Sequence, residues 1–392
     1  MIPEPANGPP VSPVLGLAHP DPVVGTPTFA EMTTFRAGGE IATYVEATSE
    51  KELIDVVRAA DHDGVPLLVL GGGSNILASD ERFEGVVVRD MRRELDSVAD
   101  STCSGASITA PAGQPWDDLV AFSVQEEWMG LESLSGIPGT VGASPIQNVG
   151  AYGQEVAEAL SWVRVFDRLE KRTRFFARSE LELSYRDSRL KRSLRDAETG
   201  GGRVWGPTGR WVVLECNYQL RLASLSAPVR YAELARTLDV PMETRVPSRE
   251  LREAVLGLRR GKGMVLDPAD HDTWSAGSFF TNPILPADAE LPAGAPRFPV
   301  TDHTRIRQIG GAPVLVADLV KTSAAWLIAH SGFEKGHGLP GPAALSTRHV
   351  LALTNRGGAT ASEIWALAEE VRAGVKDAFG IELVPEPVVL GR

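Results

Sequence analysis

Apolar positions between Tyr44 and Val88 change period twice, and the changes outline a small β-α-β unit. Tyr44-Val45-Glu46-Ala47 reads as a short strand. Ser49 with Glu52 then forms a capping box, opening a helix whose Leu53, Val56, Val57 and Ala60 share one face. Asp63-Gly64 stops that helix, Leu67 to Leu70 makes a buried strand, and Gly85 to Val88 makes another. Ser107 to Ala110 predicts a further strand, and a helix runs from Pro115 through Trp116, Leu119, Val120 and Val124.

Downstream, Trp162 to Phe166 and Arg174 to Phe176 read as strands joined by a charged turn. Leu214, Cys216, Tyr218, Leu220 and Leu222 alternate with Glu215, Asn217, Gln219 and Arg221, the strongest period-two signal in the chain. Lys191 to Arg210, rich in glycine and charge, reads as a surface insertion. The character changes after about Ala223, with helical patches at Tyr231 to Leu234 and Arg252 to Arg260, so a third domain is expected there. A Pro- and Ala-rich loop, Leu285 to Pro299, should run over its surface. Thr360 and Glu363 form a capping box on a helix whose Ile364, Leu367, Val371, Val375 and Phe379 make a core stripe, and a closing strand follows from Glu382 to Leu390.

Two stretches obey no period. Gly136 to Gly153 crowds glycines, small side chains and two prolines together without one Lys, Arg, Asp or Glu. Glycines at Gly136, Gly139, Gly142, Gly150 and Gly153, among Ala143, Ser144, Gln147 and Asn148, let a backbone approach a ligand and turn its N–H groups toward an anion. A long surface connection is the competing reading, although such connections usually carry charge. Gly71-Gly72-Gly73-Ser74-Asn75 follows the strand ending at Leu70 and is a second loop of the same kind. Two such loops suit a dinucleotide cofactor better than a single phosphate.

Composition narrows the field further. The chain has 392 residues, 43% of them hydrophobic, enough for two or three domains with real cores. A net charge of -12 argues against a sequence-independent nucleic-acid binder. Cys103 and Cys216 are the only cysteines, so a disulfide framework and a CxxC metal site are both excluded, and buried thiols are the default. No apolar run is long enough to span a membrane and no basic leader precedes Arg36, which predicts a cytoplasmic protein. Met1 to Pro27 holds eight prolines and neither Lys nor Arg, the composition of a flexible tail. GxSxG, HExxH and a P-loop are absent, which argues against nucleotide hydrolysis, and neither glycine loop matches GxGxxG, so a Rossmann site is not supported.

The pair GGGSN and GIPGTVGASPIQNVGAYG resembles the flavin-binding signature of the UDP-N-acetylenolpyruvoylglucosamine reductases, with further matches from Thr33-Thr34-Phe35-Arg36-Ala37-Gly38-Gly39 to Pro385-Glu386-Pro387. The likeness covers almost everything except the N-terminal tail. It implies an α+β protein with a two-lobed FAD-binding domain of the vanillyl-alcohol oxidase-like (PCMH) type, in lobes 28–96 and 97–222. A third α+β substrate-binding domain, 223–392, would send its last strand back to the active site. It also implies non-covalent FAD, NADPH as hydride donor, a nucleotide-sugar substrate, no metal, no nucleic-acid or membrane partner, and action as a monomer. Oxidases of the same flavin fold often tether FAD through a histidine in the glycine loop. The comparable position here is Gly73, which favours a dissociable cofactor.

Candidate chemistry is scattered. Arg186, in Tyr185-Arg186-Asp187-Ser188, can grip a planar carboxylate with Asp187 steadying it, although a surface ion pair explains the tetrapeptide as well. Ser278, between Gly277 and Phe279-Phe280, could be only a small turn residue. Tyr231 and Lys262 could be structural or solvated. The resemblance assigns catalysis to Arg186, a proton-donating Ser278 and Glu386, and substrate contacts to Tyr152, Tyr231, Lys262 and Asn282, with Tyr231 marking the type I subtype, which closes a tyrosine-bearing loop over substrate. A sugar or alcohol oxidase and a non-catalytic nucleotide-sugar-binding protein remain the alternative readings. The second would have no use for the three catalytic residues.

Overall fold

The computed structural model describes residues 26–100, 105–302, 305 and 311–391. Most of the expected Pro-rich tail, and Cys103, therefore lie outside the described residues, whereas Cys216 is a buried free thiol.

The first helix runs Glu50–Asp63, capped by Ser49 and closed by Gly64 at φ 67°. The expected capping box is only half made. Ser49 accepts from the Glu52 amide, but the Glu52 carboxylate accepts from Thr48 instead of Ser49. Leu53, Val57 and Ala60 are buried against a three-stranded parallel sheet of order Ile41–Ala47, Phe83–Asp90, Leu67–Val69. That is the β-α-β unit its periodicity foretold.

A second, antiparallel sheet has the order Arg172–Ala177, Leu160–Asp167, Trp211–Leu222, Gly105–Pro111, Asp96–Asp100. Its long strand Trp211–Leu222 serves two cores. Val212 and Leu214 join the cluster around the Glu50–Asp63 helix, while Val213, Cys216, Tyr218 and Leu220 face the helix Trp116–Gln125 and the central loop. The alternation read from sequence is imperfect. Asn217 is buried, donating to Ser107 and Thr109 across the sheet, and Leu222 is exposed where the strand ends.

The segment 191–210 is not a mere surface insertion. Trp205 and Ser193 are buried, Arg210 pairs with Asp167 at 2.8 Å, and the Thr208 hydroxyl accepts from the Val69 amide at 2.7 Å. Glycine and charge suggested exposure, but the arginine is neutralised and the indole donates to the Gly200 carbonyl. The Leu285 to Pro299 region also differs from expectation. Ile284–Pro286 and Phe298–Thr301 are edge strands on either side of Leu315–Lys321. Short proline-bearing edge strands leave no period to read.

Helix Ala361–Phe379 buries Ile364, Leu367, Val371 and Val375 as its stripe predicts, with Phe379 packed at the margin. Its cluster also contains Phe35, Ala37 and Leu77 from the start of the chain, together with Phe279 and Phe280. The closing strand is shorter than expected, Val388–Leu390, and pairs parallel with Ile76–Ala78, directly after the first glycine loop. Chain end and cofactor-type loop are thereby stitched together. Among the described residues no helix is long and apolar enough to cross a membrane.

Candidate functional site

The two glycine loops meet backbone to backbone. A Cβ on Gly72 would stand 2.6 Å from the Gly139 Cα, and one on Gly73, at φ 66°, only 1.9 Å from the Met32 carbonyl oxygen. Ser74 Oγ donates to the Pro138 carbonyl at 3.2 Å, and Asn75 Nδ2 donates to Gln147 Oε1 at 2.8 Å. None of the backbone N–H groups of Gly71, Gly72, Gly73, Ser74 and Asn75 donates to an acceptor among the described residues. Five adjacent amides without acceptors form an anion cradle of the kind that holds phosphates, and they suit a pyrophosphate-bearing cofactor.

Both loops line a cavity of about 1270 Å³, larger than the usual upper range of about 1,000 Å³ for a single small ligand. Gly71 to Asn75, Gly139, Gly142, Ala143, Ser144, Gln147, Gly150 and Gly153 all border it. Two expected cofactor residues do not. Gly136 turns away, its amide donating to Asp117 and its missing Cβ leaving room for Leu256. Asn148 is fully buried and spends its amide on Glu155, Ser184 and Ala157. Ser144 reaches the wall, but its hydroxyl is engaged with Val141 and Tyr218. These polar side chains shape the loop from within.

Arg186, Ser278 and Glu386 border the same cavity. Arg186 sits at the tip of a tight turn closed by Ser184 and Asp187, at φ 56°, a left-handed conformation unfavourable for a side chain of its size. Its Nη2 donates to the Gly150 carbonyl at 2.8 Å and its Nη1 to the Asn148 carbonyl at 3.3 Å. Nε lies 2.9 Å from Glu386 Oε1, an ion contact off the hydrogen-bond direction. Burial works against this charge, but Glu386, Tyr185 and Glu155 outweigh it and hold the guanidinium above its ordinary pKa. Asp187 does not steady Arg186 as expected. It pairs with Arg192 and Arg195, because the turn points the two neighbouring side chains apart.

Glu386 is aimed by its backbone. Its N–H donates to the Phe279 carbonyl at 2.8 Å, next to Ser278, and its carbonyl accepts from Asn75 Nδ2 at 3.4 Å. Asn75 thus ties the first loop, the second loop and the glutamate together, a role that only tertiary contacts disclose.

At the other end, Tyr152 and Tyr231 meet edge to face with centroids 5.3 Å apart, and Lys262 lies 5.7 Å from the first ring and 6.0 Å from the second while paired with Glu233. Burial pushes the Tyr152 hydroxyl up to about 12. Asn282 also lines the cavity, but its Oδ1 accepts from the Ala324 amide at 3.0 Å, capping a helix. Two lysines were missed. Lys321 lies 4.6 Å over the Tyr185 ring, and Lys191 donates to the Arg186 carbonyl. One stands in the unread strand and the other in the supposed insertion. Among the described residues no group of His, Cys, Asp and Glu is arranged to hold a metal.

Such a cavity, lined by paired glycine loops on an α+β frame, defines a flavin-binding protein, and residues 41–174 match the model of an FAD-binding domain family. Residues 267–390 match the model of the UDP-N-acetylenolpyruvoylglucosamine reductase C-terminal domain. A curated UDP-N-acetylenolpyruvoylglucosamine reductase of Cutibacterium acnes is 47% identical over 94% of this chain and 93% of its own. That of Saccharopolyspora erythraea is 50% identical over 93% of this chain and 95% of its own. The solved reductase of Thermus caldophilus, 22% identical, superposes with a TM-score of 0.57 over 94% of this chain and 99% of its own, which shows the shared fold. The chain belongs to the UDP-N-acetylenolpyruvoylglucosamine reductase family.

Proposed function

We propose that this chain reduces UDP-N-acetylglucosamine enolpyruvate to UDP-N-acetylmuramate, a step of peptidoglycan precursor synthesis, using non-covalent FAD and NADPH. The observation that carries the reading is the Arg186–Glu386 pair, which opens into the cavity bordered by both glycine loops and Ser278. Residues 28–96 and 97–222 hold the cofactor and 223–392 the nucleotide sugar. All of these groups come from one chain, which supports a monomer as the acting unit, and a nucleotide-sugar substrate reduced with NADPH supports the cytoplasm as its site of action.

Gly71 to Asn75, with Gly139 to Gln147, would hold the cofactor, their free amides toward its pyrophosphate. FAD bound there would supply the hydride chemistry that reduction of the enolpyruvyl group needs, with NADPH as the source of the hydride. The protein's part is position and field. Tyr152, Tyr231, Lys262 and Asn282 receive the diphosphate end, with Lys262 exchanging Glu233 for a phosphate oxygen. Negative charge then builds beside the substrate carboxylate, and Arg186 stabilises it. Glu386 keeps the guanidinium in place and orients that carboxylate. Ser278 Oγ delivers the proton to the carbon, a transfer that a hydroxyl makes only to a strongly basic neighbour.

Purification tests this directly. A yellow protein that releases FAD on denaturation, and NADPH oxidation that depends on the enolpyruvyl sugar, are expected. A colourless protein, or oxygen-dependent turnover of a simple sugar, would reject the reading.

A further inference from the structure

Arg186 and Glu386 together are close to electrically neutral, yet the reaction above builds a second negative charge on a substrate that already carries a carboxylate. A further cation is needed at that end, and outside the assigned residues the cavity is lined by Lys321, which lies over the Tyr185 ring, and by Lys191, which bonds to Arg186 itself. Lys191 stands on the short helix Arg189–Arg192, directly after the Arg186 turn, and lines the same cavity. Ser188 fixes this helix, capping it through the Lys191 amide while donating to the Ile146 carbonyl at 2.5 Å. The ammonium donates to the Arg186 carbonyl at 3.3 Å and makes no ion pair among the described residues.

The nearby acids are committed elsewhere, Asp187 to Arg192 and Arg195, and Glu386 to Arg186. Burial accordingly lowers the Lys191 pKa, only partly offset by Glu386 and Asp187. A partly buried cation without a counter-charge is costly to the empty fold, and an anion entering the cavity relieves that cost.

We propose that Lys191 binds an anionic oxygen at the reacting end of the cavity, supplying the positive charge that Glu386 cancels on Arg186. The inference rests on the reductase reading. Two oxygens have this chemistry: the pyrimidine carbonyl oxygen of the reduced flavin and the carboxylate of the enolpyruvyl group.

The test uses flavin-loaded protein carrying Lys191→Gln, which keeps a donor for the Arg186 carbonyl but no charge, and Lys191→Arg, which keeps the charge. The flavin midpoint potential and the dissociation constant of the enolpyruvyl sugar, followed by perturbation of the flavin absorbance, are measured for each. If the flavin oxygen is the partner, Lys191→Gln lowers the potential by about 30 mV, a tenfold change for a two-electron couple, and leaves sugar binding alone. If the carboxylate is the partner, the potential holds while sugar binding weakens about tenfold. Lys191→Arg restores either quantity. No change in both for Lys191→Gln, or an equal loss in Lys191→Arg, would overturn the proposal, the second because it would show a steric role in the turn. Unsubstituted protein that neither binds nor reduces the sugar would instead reject the reductase reading, and the potential would still decide Lys191.

Discussion

Nε of Arg186 lies 2.9 Å from Oε1 of Glu386, joining a strained turn in the middle of the chain to the segment that precedes its last strand. The contact neutralises both groups and leaves the guanidinium bound to two carbonyls of the central loop, so the arginine is fixed before substrate arrives. Replacing Glu386 with Gln should slow reduction of the enolpyruvyl sugar about 10²- to 10⁴-fold while NADPH still bleaches the flavin at its normal rate. Arg186→Lys should behave similarly, since a point charge cannot span the carbonyls and a carboxylate together. Stopped-flow measurement of the two half-reactions separates the outcomes.

Ser278→Ala should leave flavin reduction by NADPH intact and stall only the second half-reaction. Equal loss in both halves would remove Ser278 as the proton donor and point to a defect in cofactor placement.

Gly72→Ala forces a methyl group to 2.6 Å from the Gly139 Cα, backbone against backbone, with no flexible side chain to yield. The loops must part, and FAD affinity is expected to fall at least about tenfold. Titration of flavin-stripped protein with FAD reads this, and normal affinity would show that the loop contact has slack.

Helix Ala361–Phe379 is capped from outside itself, because Asp80 accepts from the amides of Ala361 at 2.6 Å and Ser362 at 2.9 Å. Asp80→Ala should cost about 1–2 kcal/mol of stability. Denaturant unfolding checks the value, and an unchanged midpoint would mean that Thr360 caps the helix alone.

Burial, with Lys262 and Lys335 nearby, pushes the His349 imidazole down to about 4 from an ordinary 6.5. The folded protein therefore keeps this ring neutral where the unfolded chain takes up a proton. Its contribution to stability is complete above about pH 6.5 and is lost as the pH falls toward about 4. His349→Gln should flatten that limb of a melting-temperature profile, whereas parallel profiles would assign the acid loss to other groups.

Much of the frame was legible before any coordinates. Helix Glu50–Asp63 and helix Ala361–Phe379 follow from apolar stripes and caps, which are local, and the β-α-β unit follows from the order of the periods. The strands at Ile284–Pro286, Phe298–Thr301 and Leu315–Lys321 were not legible, since edge pairing and proline erase alternation. Nor was the packing of 191–210, where a buried indole and a neutralised arginine lie inside a stretch whose composition suggests solvent.

By itself the sequence determined that two uncharged glycine loops exist and that an arginine, a serine and a glutamate stand in suggestive contexts, because backbone freedom and residue chemistry are properties of short stretches. Tertiary structure alone decided which glycines face the cavity and which, like Gly136, make room for a neighbouring helix. It also decided that Arg186 answers to Glu386 and not to adjacent Asp187. Those are matters of which surfaces meet when distant segments share one core, and the burial that drives the meeting is insensitive to distance along the chain.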